Sequence, residues 1–320
     1  MTQTVVVGAD VGGTNVKYTL LDPAGRVLAQ GDIPTDPEDP AGTVARLAEA
    51  TRSHTGEGDL VGVGLACAGI VTADSGLLGR APNLPGWEDS DLAGAVRAAY
   101  GPVAVAVAND VNAALYGESR YGAGRSCRHL VMIAMGTGVG GGVMVDGDLV
   151  TGFADGAGEI GHMTLHLDGP VCPCGNRGCL EAFCGSVGMV RRARELAALS
   201  EASEAWRAMA ADHGDSLTTR HCFELAAAGD ATAMRFFAEV GRRLGQATAS
   251  LVNILAPERV IIGGGVAQAG DLVLQPCRDM VAHHVLSAEG RSTPVVPAEL
   301  GPHAASMGAA GLALAVGEAR

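Results

Sequence analysis

Two segments of this chain, opening at Val5 and at Leu130, repeat one pattern, and that repeat constrains the fold more than any other feature. The first copy is the run Val5 to Ala9, then Asp10-Val-Gly-Gly-Thr14, then Asn15 to Leu21, an Asp22-Pro-Ala-Gly25 turn and a third apolar run, Arg26 to Gln30. The second is Leu130 to Met135, Gly136-Thr-Gly-Val-Gly-Gly-Gly142, Val143 to Val145, an Asp146-Gly147 turn and Asp148 to Val150. Each reads as strand, glycine turn, strand, short turn, strand. Two such units imply two related α/β domains, each aiming a glycine hairpin at a shared central cleft. A chain of 320 residues suits two cores, since single cores rarely grow past about 250–300 residues. The expected division is a small N-terminal α/β domain over 1–112 and a larger α/β domain over 113–303 that carries a cysteine-rich loop. A helix over about 304–320 is expected to pack back on the first. No low-complexity linker separates the halves, so a hinge rather than a tether joins them.

Helices and strands alternate around these hairpins. Asp39-Pro40 pairs an N-cap with a proline at the first helical position, opening a helix to about Ser53. Leu60 to Ala66, Val103 to Ala108 and Arg259 to Ile262 read as buried strands, the last ending in Gly263-Gly-Gly265. Asn112 to Tyr121, Gly185 to Met209 and Ala231 to Leu255 have helical spacing of apolar residues, and Ala304 to Glu318 is an alanine-rich helix.

Composition removes several function classes. Hydrophobic residues make up 48% and charged residues 18%, which excludes a disordered polyelectrolyte. A net charge of −13 opposes nucleic acid and anionic membrane surfaces as partners. No run of about 18 apolar residues spans a membrane, and no basic region precedes an N-terminal apolar run, so a cytoplasmic protein is expected. Lys17 is the only lysine among 22 basic residues, and it lies between Val16 and Tyr18. A Walker A loop, which needs Gly-Lys-Ser/Thr, is therefore absent, as is a protein-kinase His-Arg-Asp loop. Gly136 to Gly141 matches G-x-G-x-x-G formally. A dinucleotide fold would place a helix next, and here a strand follows.

Four groups of residues carry chemistry. The two glycine turns offer backbone N–H groups and the hydroxyls of Thr14 and Thr137 to a phosphate; tight hairpin geometry is the plainer reading of either turn alone. Asn109-Asp110 ends a buried strand, where α/β sites lie, and Asp110 is either a proton acceptor or the cap of the next helix. His162, Cys172, Cys174 and Cys179 form a closed one-imidazole, three-thiolate set suited to structural zinc. Glu159, His162 and Glu181 flank that loop with acceptors suited to sugar hydroxyls, or are solvated loop groups. Asn83, in Ala81-Pro-Asn-Leu-Pro-Gly-Trp87, adds an amide or a plain turn.

Taken in order, Asp10-Val-Gly-Gly-Thr14, Asn83-Leu-Pro-Gly-Trp87, Asn109-Asp110, Gly136-Thr-Gly-Val-Gly-Gly, Gly158-Glu-Ile-Gly-His162, Cys172-Pro-Cys-Gly-Asn-Arg-Gly-Cys-Leu-Glu181 and Gly263-Gly-Gly265 resemble the ROK family of repressors and sugar kinases, and its bacterial glucokinases most. The resemblance runs from Thr4 to about Val316. It implies an actin/hexokinase-like (ribonuclease H-like) α/β fold and ATP-dependent phosphorylation of the 6-hydroxyl of an aldohexose, glucose by preference. It implies Asp110 as general base, sugar contacts from Asn83, Asn109, Asp110, Glu159, His162 and Glu181, and structural Zn2+ on His162, Cys172, Cys174 and Cys179. Asp10, Gly12, Gly13 and Thr14 would hold Mg2+ with phosphate, Gly136, Thr137 and Gly138 the nucleotide phosphates, and Gly264 and Gly265 the adenosine side. A dimer or tetramer is also implied. Two departures stand out: Ala108 where many family kinases have Glu, and Asn15 where many have Lys. Lys17 either reaches phosphate in its place or stays a solvated strand-edge lysine. The family's other sugars, N-acetylglucosamine, N-acetylmannosamine and fructose, remain open. A sugar-sensing repressor is the rival class, disfavoured because only nine residues precede Asp10 and the charge is acidic.

Overall fold

The computed structural model describes residues 4–55, 60–72, 75–81 and 84–318. Its strands are β1 (Val5–Val11), β2 (Asn15–Leu21), β3 (Val27–Pro34), β4 (Leu60–Cys67), three two-residue strands β5 (Val71–Thr72), β6 (Leu77–Leu78) and β7 (Ser90–Asp91), β8 (Ala104–Asn109), β9 (Leu130–Met135), β10 (Val139–Val145), β11 (Asp148–Leu149), β12 (Arg259–Gly263) and β13 (Val295–Pro297). The helices are α1 (Pro40–Thr55), α2 (Leu92–Tyr100), α3 (Asp110–Tyr121), α4 (Leu180–Cys184), α5 (Ser186–Ala197), α6 (Glu204–His213), α7 (Thr219–Ala227), α8 (Ala231–Leu255), α9 (Asp271–His284) and α10 (Ala304–Glu318).

The two large sheets have one strand order. The first is β3-β2-β1-β4-β8 and the second is β11-β10-β9-β12-β13. In the first, β1 pairs antiparallel with β2 and parallel with β4; in the second, β12 lies parallel to β9 and β13. The repeat read from the residues is thus a repeat of topology: a meander of three strands whose first member starts a parallel run. This mixed α/β architecture puts the C-terminal ends of β1, β4 and β8 together in one sheet and those of β9 and β12 in the other, where sites in such sheets form.

Contacts divide the chain into two compact units. One comprises residues 1–128, 142–157 and 298–320; the other comprises 129–141 and 158–297. Against an expected boundary at 112, the first unit takes in all of α3, because α3 packs along α10. That contact is unusually close. A Cβ on Gly308 of α10 would overlap the Ala113 carbonyl oxygen of α3, and one on Gly64 of β4 would overlap that of Ala309. Side chains this small let a helix lie almost on the backbone of its neighbours, which is where much of the glycine and alanine goes. Thr19 and Ser306 add a buried hydroxyl–hydroxyl hydrogen bond at 2.8 Å between β2 and α10. Glu118 of α3, fully buried, accepts from the N–H groups of Ala123 and Leu300 and so fastens the segment leading to α10.

The second unit has a different core, with Trp206 of α6 against Phe236 of α8 at 5.3 Å between ring centroids and Phe236 edge-on to Phe237. The helix expected over Gly185 to Met209 is two helices. Gly185 N–H closes α4, α5 ends at Ala197, and Ser203 caps α6 by accepting from Trp206 N–H at 3.0 Å. The apolar period continues through the break, so the serine cap, not periodicity, marks it. Among the described residues, no helix is long and apolar enough to cross a membrane.

Gly64→Val is expected to lower stability by about 1–3 kcal/mol, the usual cost of overpacking. Gly317→Ala, whose added carbon would meet nothing closer than 3.5 Å, is expected to change it by less than about 1 kcal/mol. Thermal unfolding of both variants beside the unaltered protein checks the helix–sheet contact.

Candidate functional site

In the first unit, β1 delivers Asp10 and β8 delivers Asn109 to the same sheet edge, with Cys67 in register with Asn109 between them. The turn after β1 is closed by Gly12 N–H donating to Asn15 O at 3.0 Å. Thr35 braces it from outside: its hydroxyl donates to Gly12 O at 2.7 Å and its N–H to Thr14 O at 2.9 Å. Nothing in the sequence distinguished Thr35, because its role depends on β3 pairing with β2, where Asn15 faces Pro34.

The two readings of Asp110 part here. Asn109 is the N-cap of α3, its Oδ1 accepting from the N–H groups of Val111 and Asn112, while its Nδ2 donates to Gly69 O at 3.1 Å. Asp110 is the first helical residue, with Oδ1 near its neighbour's amide, Val111 N–H, at 2.9 Å. The cap is therefore Asn109, and Asp110 stands in the positive field of a helix N-terminus.

Asp10 is pushed up from 3.8 to about 6, first by burial and then by the negative charge of Asp110, with Lys17 acting the other way. The same burial raises the Cys67 thiol, with Asp10 and Asp110 adding to the effect. Lys17 sits opposite Asp10 across the β1–β2 ladder. His303, which precedes α10, is a residue the motifs did not reveal. Its Nδ1 is buried without a hydrogen-bond partner among the described residues, and its pKa is lowered by burial and by Lys17.

The second unit holds the other set. The glycine turn is confined to Gly136-Thr137-Gly138, where Gly136 N–H donates to Gly138 O at 2.9 Å; Gly140 to Gly142 lie within β10. The turn rests on α4 and α5. Glu181 Oε2 accepts from Val139 N–H at 2.9 Å, and Ser186 N–H donates to Gly136 O at 2.9 Å. A side chain on Gly138 would displace the Glu181 carboxylate. Gly264 follows β12 with φ +84°, a conformation glycine adopts at no steric cost, and any Cβ there would overlap Met135 O at the end of β9. Gly265 has open space around its Cα.

The ligand atoms of His162, Cys172, Cys174 and Cys179 all lie within 4.8 Å of one another. Cys174 and Cys179 sulfurs are 3.8 Å apart, and His162 Nδ1 is 3.7 Å from Cys172 Sγ. A tetrahedral ion with Zn–S bonds of about 2.3 Å spaces its sulfurs by about 3.8 Å, so the group fits a metal ion of that kind. The other imidazole nitrogen, Nε2, faces Glu159 Oε2 at 3.9 Å. The second Glu181 oxygen, Oε1, is 3.5 Å from Cys172 Sγ. The two glutamates therefore stand behind the ligand set, where carboxylates commonly orient metal-binding side chains. Cys184 is a fully buried core thiol. Asn83 lies outside the described residues.

Comparison with known proteins follows the same outline. The model of the ROK family matches residues 6–316. A glucokinase of Halalkalibacterium halodurans is 37% identical over 279 residues, 85% of this chain and 83% of that protein. The crystal structure of a ROK family glucokinase from Streptomyces griseus in complex with glucose and AMPPNP is 33% identical, with a TM-score of 0.81 over 97% of this chain and 99% of that one. A xylose repressor of Bacillus subtilis is 28% identical over 94% of this chain and 75% of its own length.

The Asp10 environment has a measurable consequence. Its folded pKa lies above the unfolded value, so the stability it contributes is fully present below about pH 4 and is lost as pH rises through about 6. Asp10→Asn is thus expected to stabilise the ligand-free protein by about 1–3 kcal/mol at pH 8 and by almost nothing at pH 4. Urea unfolding of both proteins across that range reads the difference. A gap that does not change with pH would overturn the assigned burial and repulsion.

Proposed function

This chain belongs to the ROK family, and on that premise we propose that it is an ATP-dependent glucokinase that converts glucose to glucose 6-phosphate. The observation that carries the reading is Asp110, half-buried at the start of α3 and close enough to a second half-buried carboxylate, Asp10, to raise its pKa, in a chain that matches glucokinases over most of its length. In the proposed reaction Asp110 accepts the proton of the 6-hydroxyl as that oxygen attacks the γ-phosphorus of ATP. The bond from phosphorus to the bridging oxygen breaks, and ADP leaves with the electron pair. Asn109 orients Asp110 by fixing the first turn of α3.

Asp10 is the residue assigned to Mg2+. A carboxylate whose proton affinity is raised by burial and by a neighbouring negative charge forms a site that a divalent cation neutralises, and with ATP that ion would offset charge on the transferred phosphoryl group. Gly12, Gly13 and Thr14 on one turn, and Gly136, Thr137 and Gly138 on the other, are assigned to the nucleotide phosphates through backbone N–H groups. Gly264 and Gly265 are assigned to the adenosine side and Lys17 to phosphate. Glu159, His162, Glu181, Asn83 and Asn109 are assigned to sugar hydroxyls. The Cys172, Cys174, Cys179 and His162 set is assigned to Zn2+, which with four protein ligands supplies rigidity rather than a reactive position.

The similarity to a xylose repressor supports a second reading, a sugar-binding regulator without turnover. One coupled ADP-release assay separates the two, and running it with glucose, fructose, N-acetylglucosamine and N-acetylmannosamine reads substrate choice. Glucose-dependent ADP release supports the kinase; sugar binding without release supports the regulator.

Asp110→Asn is expected to lower kcat by about 10²–10⁴-fold, the range for loss of a general base, while glucose binding by calorimetry changes less than about threefold. A variant with near-native kcat would remove Asp110 from the role. Metal analysis is expected to find one zinc per active chain and to lose it in Cys179→Ser; active protein without zinc would end that assignment.

A further inference from the structure

A cavity lies within the second unit, and none of the residues of that unit's glycine turn lines it. It has a volume of about 510 Å³ and is walled by the cysteine-rich loop, α4, α5 and α8. Four of the chain's 22 basic residues line it: Arg177, Arg191, Arg192 and Arg243. In a protein of net charge −13 that is a concentration of positive charge without parallel in the sugar-kinase chemistry proposed above.

The acids present do not use up these guanidinium groups. Arg192 is matched to Glu239 by two hydrogen bonds of 3.2 and 3.1 Å and also lies 3.5 Å from Glu195. Arg191 donates Nη2 to Ala182 O at 2.9 Å, but its buried Nε is off the line of a hydrogen bond to Glu195, which is 3.3 Å away. Arg177 has one long contact, Nη1 to Gly169 O at 3.5 Å. Arg243 places its guanidinium carbon over the Phe183 ring, 4.7 Å from the centroid, with no acidic partner among the described residues. Asp168 stands at the rim. Counting it with Glu195 and Glu239, the lining keeps one positive charge, and its spare donors come from three arginines on three different elements. Phe183, Phe236 and Val240 give the wall an apolar portion.

We propose that this cavity is a binding site for a small phosphate-bearing anion, in which Arg177 and Arg243 contact the phosphate and the apolar wall accommodates a carbon skeleton. Guanidinium groups suit this ligand because their N–H pairs match phosphate oxygens, and a partly enclosed cavity weakens the competition from water. The volume is within the range of metabolite sites. Two sources share the chemistry: inorganic phosphate and a phosphorylated sugar. The cavity adjoins the metal set: Arg177 lies between metal-set residues Cys174 and Cys179, and Phe183 lies two residues after Glu181.

The test is isothermal calorimetry on the intact, metal-replete protein. Inorganic phosphate and glucose 6-phosphate are titrated at constant ionic strength, with sodium chloride as the control. Arg243→Met keeps the contact with Phe183 and removes the charge; Arg177→Gln keeps a donor and removes the charge. If the proposal holds, the unaltered protein shows a saturable phosphate or phosphosugar isotherm that weakens at least tenfold in the double variant, while kcat without added anion stays within twofold. Binding of glucose 6-phosphate at the reaction site is common to the unaltered protein and the double variant, so only the component lost in the double variant is read. A lost component stronger for glucose 6-phosphate than for inorganic phosphate identifies the phosphosugar as the ligand, and an equal one identifies free phosphate. No binding, or the same isotherm in the unaltered protein and the double variant, would overturn it. The outcome is read as binding and does not depend on whether the chain turns over glucose.

Discussion

The Val139 amide donates to the Glu181 carboxylate at 2.9 Å, and much of the second unit is arranged around that bond. Glu181 belongs to α4, whose N-cap is Cys179, one of the metal-set residues. Its other oxygen lies beside Cys172. One carboxylate therefore joins the glycine turn to the cysteine-rich loop, and the absence of a side chain at Gly138 is what lets it approach. A turn made mostly of glycine has little stiffness of its own, since glycine loses more backbone freedom on ordering than any other residue. Rigidity comes from its supports: Glu181 on one side and Ser186 N–H on the other.

The first unit solves the parallel problem differently. Its glycine turn is held by Thr35 from the neighbouring hairpin, and the Asp10 carboxyl there meets the negative charge of Asp110 as well as the positive charge of Lys17. Asp10 keeps its carboxyl near a second carboxylate at a cost in stability, and burial adds to that cost. Arrangements of this kind are common where a charged ligand completes the balance. His303, whose buried ring nitrogen has no hydrogen-bond partner among the described residues and which feels the charge of Lys17, is a further polar group of this region.

Much of this could be read from the residues because several signals agreed. The duplicated hairpin appears as two sheets of identical strand order, and the one-histidine, three-cysteine spacing closes into a cluster with metal-sized separations. What stayed hidden depends on tertiary contact. Glu181 looks like any loop carboxylate until β10 brings Val139 to it. Thr35 and His303 lie in no motif, and Asn109 rather than Asp110 caps α3 because the cap is chosen by backbone geometry at the strand end. The split of α5 from α6 was missed because apolar spacing ran on through it. The arginines of the cavity in the second unit are scattered over nearly seventy positions, from Arg177 to Arg243, and only folding gathers them.

The placement of α10 has a consequence for how the molecule is made. Gly8 in the middle of β1 lies against the backbone of Ser306 and Ala310, so β1 is covered by a helix encoded roughly three hundred residues after it. The unit spanning 129–141 and 158–297 has all its residues available while that helix is still being synthesised. In the nascent chain the later-encoded unit therefore has its full complement first, and the first sheet keeps an apolar face bare until α10 has been made. Loss of α10 would therefore uncover the sheet of the first unit rather than the segment that precedes the helix in sequence.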